Sequence, residues 1–265
     1  MVIRRLAVLL LTCGVLAAAW PARVLADDKD TIRQARQASY SLQREGFGGF
    51  QCGVTPNWDL LLADQRKADP ASADAAVKKL RQIRFTLLMD RDGKTTIKHT
   101  EVPAENQQVA DALKQIYGGM EEMLTGFFQT WNTFMLTSPF PAPEDTYQLQ
   151  DLGSAYRLSY KDGDADVLTN MSKDFVIGDL KVTTREFTSS IRPQYAKNPK
   201  GLILTGYDAD YQSSKPEERT VLKVAVGYQP VVGFQLPRTL KLSGSYGGDA
   251  FGIEVAFADC SATKR

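Results

Sequence analysis

The stretch that decides the fold is residues 109–135, which read VADALKQIYGGMEEMLTGFFQTWNTFM. Large apolar side chains recur in it at steps of three and four, so on an α-helix they lie on one face. Such a face has to be covered by other atoms. The residues of this apolar stripe are Val109, Leu113, Ile116, Met120, Met123, Phe127, Trp131 and Phe134.

The side-chain types of the stripe leave two interpretations open. The first is an ordinary core helix packed on a sheet. The second is a surface for an exchangeable apolar partner, because methionine and large aromatic side chains adapt to irregular partners. The second interpretation assigns apolar ligand contacts to Leu113, Ile116, Met120, Met123, Phe127, Trp131 and Phe134.

The patterns before and around the stripe predict further helices and a hairpin. We expect the central helix to run from Pro103 to about Leu136, weakened or bent by its internal glycines. The flanking predictions are a helix over Asp28–Arg44 ended by Gly46, a strand over Phe50–Val54 ended by Pro56, two short helices within Trp58–Arg81, and a hairpin joining Phe85–Met89 to Thr95–His99.

From Tyr147 onward the pattern becomes one strand after another, separated by turn signals. Several strands carry apolar residues on both faces, as in Val221–Val226, which suggests a curved sheet with material packed inside it. The sequence therefore predicts the α+β class with a curved antiparallel sheet and helices. The turn signals lie at Asp162-Gly163, Ser172 to Asp174, Asn198-Pro199, Ser213 to Pro216, Gln229-Pro230 and Gly247 to Asp249.

The N-terminus has the features of an export signal. Arg4 and Arg5 precede an apolar run, and Val24–Ala26 offers small residues for cleavage, so residues 1–26 are predicted to be a signal peptide and 27–265 the mature domain. Lipid anchoring through Cys13 is the alternative, but Thr12 stands where such a signal has Gly or Ala. We expect a periplasmic protein.

The charge balance narrows the class of partner. Without its signal the chain keeps 29 basic and 31 acidic residues, compared with 32 and 31 in the full chain. A nearly neutral chain without a basic cluster is not expected to bind nucleic acid. No later stretch is long and apolar enough to span a membrane.

Cys52 and Cys260 remain after cleavage of the signal. An even pair in an exported protein favours a disulfide, which would tie the first strand to the last. Two buried free thiols are the alternative.

Catalytic and metal-binding patterns are not found, so we expect no enzyme and no cofactor. His99 is the only histidine, which argues against the usual hydrolase triads and zinc sites. Asp162, Asp164 and Asp166 alternate as in a calcium loop, but Val167 and Lys173 occupy the positions of its glycine and glutamate. The pairs Glu121-Glu122 and Glu217-Glu218, and the glycine-rich segment Gly46–Gly49, fit solvated faces and a turn.

The late strands carry a family resemblance. The segment Tyr228–Leu240, YQPVVGFQLPRTL, preceded by Val221–Val226 and followed by a strand ending in Phe257, resembles bacterial envelope proteins of the lipoprotein-sorting, LolA-like superfamily. In this segment Gly233 would permit a bend and Pro237 would end pairing at an edge.

The resemblance implies an incomplete antiparallel barrel, a half-barrel whose open side is plugged by the N-terminal and central helices. It further implies an apolar cavity for acyl chains and a carrier that binds a lipid or a lipidated protein. The helical stretch Trp58–Arg81 and the long central helix depart from the family's pattern. The alternative function is an envelope interaction or sensor module with a filled core and a protein partner.

Overall fold

The computed structural model describes residues 24–215 and 218–265. Most of the predicted signal peptide, with Cys13, lies outside these residues, and its last residues, Val24–Ala26, fall in the first helix. In chain order the elements are α1 (Val24–Ala38), β1 (Phe47–Pro56), α2 (Trp58–Leu61), α3 (Ala63–Ala68), α4 (Pro70–Leu80), β2 (Phe85–Asp90), β3 (Thr95–His99), α5 (Gln107–Met135), β4 (Tyr147–Asp151), β5 (Ala155–Asp162), β6 (Ala165–Ser172), β7 (Ile177–Thr183), β8 (Phe187–Asn198), β9 (Gly201–Ser213), β10 (Thr220–Val231), β11 (Phe234–Tyr246) and β12 (Asp249–Lys264).

The strands form one antiparallel sheet in the order β3-β2-β1-β12-β11-β10-β9-β8-β7-β6-β5-β4. From β4 to β12 each strand pairs with its neighbour in sequence, and β12 then pairs with β1. The strands β3 and β4 end the sheet and, within the described residues, do not pair with each other, so the sheet stays open. The α+β class with an open, curved antiparallel sheet is thereby confirmed.

The long helix α5 lies inside the curve of this sheet. The ring of Phe128 is 6.0 Å from the ring of Phe257 on β12, and the Trp131 indole donates a hydrogen bond of 3.0 Å to the Tyr228 hydroxyl on β10. Further contacts pair Tyr117 with His99 of β3, Thr130 with Tyr211 of β9, and Phe134 with Tyr195 of β8. Because six strands lie between β3 and β8 in the sheet, these contacts require a sheet that wraps around the helix.

The ends of α5 follow from capping and from proline. The Asn106 side chain accepts a hydrogen bond of 2.9 Å from the Val109 amide, so the helix begins at Gln107 and not at Pro103 as predicted. It ends at Met135, before the prolines that begin at Pro139. The internal glycines do not interrupt it, and the helix is continuous over 29 residues.

The first helix is shorter than predicted. It ends at Ala38 instead of Arg44, because the next residues hydrogen-bond to other elements. The Tyr40 amide donates to the Leu202 carbonyl, and the Leu42 amide donates to the Met135 carbonyl, both at 2.9 Å. The predicted periodicity carried no information about these partners.

The stretch Trp58–Arg81 forms three short helices, where two were predicted. Asp69 caps α4 by accepting from the Ser72 amide at 3.1 Å. Arg66 and Arg81 both donate to the Asp59 carboxylate, at 2.8 and 2.7 Å, and these hydrogen bonds hold the pKa of Asp59 below its usual value. The ion pairs join α2, α3 and the end of α4 into one unit.

None of the described helices combines the length and apolar character needed to cross a bilayer.

The turn predicted at Gln229-Pro230 is wrong in position. Both residues belong to β10, and the chain reverses at Val232 and Gly233, both of which have positive φ. Gly233 therefore makes the bend expected of it. The ladder between β11 and β12 begins only at Thr239, so β11 has no β12 partner at Pro237.

The two cysteines are joined. The sulfurs of Cys52 and Cys260 are 2.00 Å apart, across 208 residues of sequence. The bond links β1 to β12, the first and last strands, which confirms the predicted disulfide. Gln229 supports the same corner, because its amide nitrogen donates at 3.0 Å to the carbonyls of both Pro237 and Phe257.

Candidate ligand-binding site

The C-terminal end of the apolar stripe is filled by the protein's own atoms. The side chains of Trp131 and Phe134 are 0% and 1% exposed. The Trp131 ring packs edge-on against Phe128, with ring centroids 5.5 Å apart. These two stripe residues therefore hold the helix in the sheet.

The middle of the stripe borders open space. Met123 is half-buried, and with Phe127 it faces a groove of about 510 Å³ between α5 and the inner face of the sheet. We call this space the inner groove. Its lining is Gly119, Glu122, Met123, Gly126, Phe127, Gln129 and Thr130 of the helix, and Tyr207, Tyr211, Thr220, Leu222, Leu242, Tyr246 and Phe251 of the sheet.

Two helix glycines widen the inner groove. Gly119 and Gly126 are seven residues apart, so they lie on the same face of α5. A Cβ atom added to either would meet no other group within 4 Å. Glycine inside a helix costs about 0.5–1 kcal/mol relative to alanine. Packing does not require glycine at these positions, and a larger side chain at either would enter the groove.

Exposed aromatic rings form the mouth of the inner groove. Tyr246 and Phe251, on the two strands of the last hairpin, are 57% and 39% exposed. Further inside, Val255 and Phe257 continue the same face of β12 and are buried. The groove therefore opens between exposed aromatic rings, and β12 continues from it into the buried core.

The sheet wall of the inner groove is polar in places but uncharged. Burial raises the pKa of Tyr207 and of Tyr211, so both phenols keep their protons at neutral pH. The Tyr211 hydroxyl is 3.2 Å from the Thr130 hydroxyl, and the two groups hydrogen-bond to each other. Among the lining residues, Glu122 alone carries a charge.

The N-terminal part of the stripe faces a second space, the outer groove, of about 810 Å³. Val109, Leu113 and Ile116 of α5 line it, opposite Leu80 of α4. An ion pair between Lys79 and Glu105 also lies in its wall. The stripe residues therefore divide among the outer groove, the inner groove and the filled core, with Met120 buried between the grooves.

The residues considered for catalysis do not converge. The His99 ring stacks on Tyr117 with centroids 3.9 Å apart. Asp166 pairs with Lys161 at 2.8 Å on the exposed β5–β6 hairpin. Within residues 24–215 and 218–265, no group of three or more His, Cys, Asp or Glu side chains is placed to hold a metal ion. Glu217 lies outside the described residues.

Sequence reasoning missed most of the sheet side of the inner groove. Tyr207 and Tyr211 of β9 both lie in the groove wall. Tyr195, on the neighbouring strand β8, packs on Phe134 instead. The available signal was the alternation that puts Tyr207, Ala209 and Tyr211 on one face of β9.

Comparison with known proteins gives no relative. No protein-family model, curated protein or solved structure matches the chain. The function of the grooves therefore has to be inferred from their own geometry and chemistry.

Proposed function

We propose that this chain is an exported binding protein or carrier for a lipid, an acyl chain or a lipidated protein in the bacterial envelope, with the tail held in the inner groove. One observation carries the proposal: Met123, Gly119 and Gly126 of α5 border an open apolar groove inside the curved sheet, where a core helix would be covered by packed side chains.

The dimensions of the groove suit this ligand. Its volume of about 510 Å³ lies within the roughly 300–1,000 Å³ typical of small-molecule pockets. Each buried methylene contributes about 0.8 kcal/mol, so five methylenes contribute about 4 kcal/mol before the cost of ordering the tail. Five methylenes alone therefore correspond to millimolar affinity at best, and a micromolar ligand has to bury about ten methylenes or add contacts through its head group.

The sheet architecture also supports the proposal. The LolA-like resemblance of Tyr228–Leu240 implied an incomplete barrel around a helix, and the chain has an open antiparallel sheet around α5. The disulfide between Cys52 and Cys260 is compatible with an exported protein. Membership in that superfamily, carrier activity and a periplasmic location remain parts of the proposal.

The direct test is to purify the protein from envelope extracts without detergent and to examine it by native mass spectrometry. We expect a copurifying lipid, and saturable uptake of a fluorescent acyl probe by delipidated protein. Absence of both lipid and probe uptake would refute the proposal.

The second candidate function is an interaction module with a protein partner, favoured by the filled end of the stripe at Trp131 and Phe134. Met123→Ala separates the two functions. If Met123 only borders a groove, the variant weakens probe binding and changes the free energy of unfolding by less than about 1 kcal/mol. If the groove closes into a filled core, truncation costs about 2–5 kcal/mol.

A further inference from the structure

The charges around the inner groove are unevenly distributed. Glu122 lines the groove, and Asp249 is the first residue of β12, where it pairs with Tyr246 across the last hairpin. No described residue forms an ion pair with either carboxylate. The groove mouth therefore carries negative charge that its own side chains leave unbalanced.

Basic side chains near the groove are either paired with carboxylates or on the other face of the sheet. Lys223 alternates with the lining residue Leu222, so it lies on the opposite face of β10. In the β9–β10 connection, Lys215 pairs with Glu218 at 2.8 Å, and Arg219 pairs with Asp210 at 2.6 Å. The groove lining contains neither lysine nor arginine. An anionic head group would meet no free cation among the groove's described residues, whereas tight binding of carboxylates and phosphates normally uses such donors.

The aromatic rings at the mouth suit the opposite charge. Tyr246 and Phe251 expose their rings at the opening of the groove that Glu122 lines. An ammonium group is attracted both to the face of an aromatic ring and to a carboxylate. The inner wall can take an alkyl tail at the same time, because Leu222 and Leu242 are apolar and Tyr211 is neutral.

We propose that the inner groove selects amphiphiles whose head group carries an ammonium, with the tail between α5 and the sheet and the head beside Glu122, Tyr246 and Phe251. This inference rests on the proposed function, since it assigns the head-group class of a ligand bound in the same groove. It distinguishes the groove from a site for free fatty acids, whose carboxylate Glu122 would repel.

The test uses alkyl probes of one chain length with trimethylammonium, maltoside or carboxylate head groups, each below its critical micelle concentration. We expect affinity to decrease in that order. Glu122→Gln should lower affinity for the ammonium probe by roughly two- to fivefold, the range for an exposed ion pair, and leave the maltoside probe unchanged. Added salt should reduce the ammonium preference of the original protein, since salt screens exposed charges.

Glu121→Gln is the matched control, because Glu121 is an exposed neighbour on α5 that does not line the groove. Glu121→Gln should leave the affinity for all three probes unchanged. Glu122→Lys should favour the carboxylate probe over the ammonium probe. Equal binding of ammonium and carboxylate probes, or an ammonium preference that Glu122→Gln leaves undiminished, would overturn the head-group inference while leaving the proposed function intact. Failure of all three probes, including the uncharged maltoside, would overturn both.

Discussion

Filling the inner groove from the helix side should strongly weaken ligand binding without damaging the fold. In Gly126→Leu the new Cβ meets no other group within 4 Å, and the backbone gains up to about 1 kcal/mol because glycine is a poor helix former. The rest of the leucine side chain enters space that the proposed function gives to the ligand.

The expected loss of binding can be worked out from that displacement. If leucine displaces three tail methylenes, at about 0.8 kcal/mol each, the loss is about 2.4 kcal/mol, or about fiftyfold in affinity. Titration with a fluorescent acyl probe measures the affinity. Denaturant unfolding followed by tryptophan fluorescence measures the stability.

Gly118→Leu is the matched control for this experiment. Gly118 also lies within α5 with open space beyond its Cα, but it does not line the inner groove. The Gly118→Leu variant should gain a similar amount of stability and keep the full affinity for the probe. The reasoning is refuted if both variants bind the probe equally well, or if Gly126→Leu is destabilised by more than about 1 kcal/mol, since the groove would then not hold a leucine side chain.

Three further predictions concern stability. Phe128→Ala should cost about 3–5 kcal/mol in denaturant unfolding, because Phe128 is fully buried and contacts aromatic rings of α5, β1 and β12; a loss below about 1 kcal/mol would contradict this packing. Replacing both Cys52 and Cys260 with serine should cost up to about 5 kcal/mol, because the bond closes a long loop; Ellman titration of the oxidised, unfolded protein should find no free thiol at these positions. Burial raises the pKa of Tyr160 from 10.0 to about 12 and also raises that of Tyr195, so the unfolded chain loses these protons first and the free energy of unfolding should fall as pH rises from 10 towards 12 and beyond. Tyr195→Phe should make that fall shallower, and an unchanged slope in urea titrations at stepped pH would rule out Tyr195 as a contributor.

The sequence predicted which side of α5 is buried better than it predicted how much of the helix is covered. Steps of three and four correctly placed Leu113, Phe127 and Trp131 on the inward side of α5. The predicted face was too narrow, because Leu124 and Phe128 are also fully buried. A helix enclosed by a curved sheet is covered over a wider arc than one packed on a flat surface.

The candidate site was predictable only on its helix side. Met123 was identified from periodicity, because a helix repeats locally and its pattern can be read over a few turns. Tyr207, Leu242 and Phe251 come from β9, β11 and β12. The successive antiparallel pairing of β9, β10, β11 and β12 brings them to one wall of the groove. Their meeting depends on strand order and register, which local patterns do not specify.

The sequence by itself determined the long amphipathic helix, the succession of strands, the α+β class and the pair of cysteines available for a bond. These follow from residue type and spacing along a short stretch of chain, where hydrophobic burial and backbone hydrogen bonding impose their own repeats. Only the tertiary structure decided that Trp131 is covered while Met123 and Gly126 border open space. Periodicity states which way a side chain faces, whereas the distance to the opposing surface depends on how far the sheet curves around the helix.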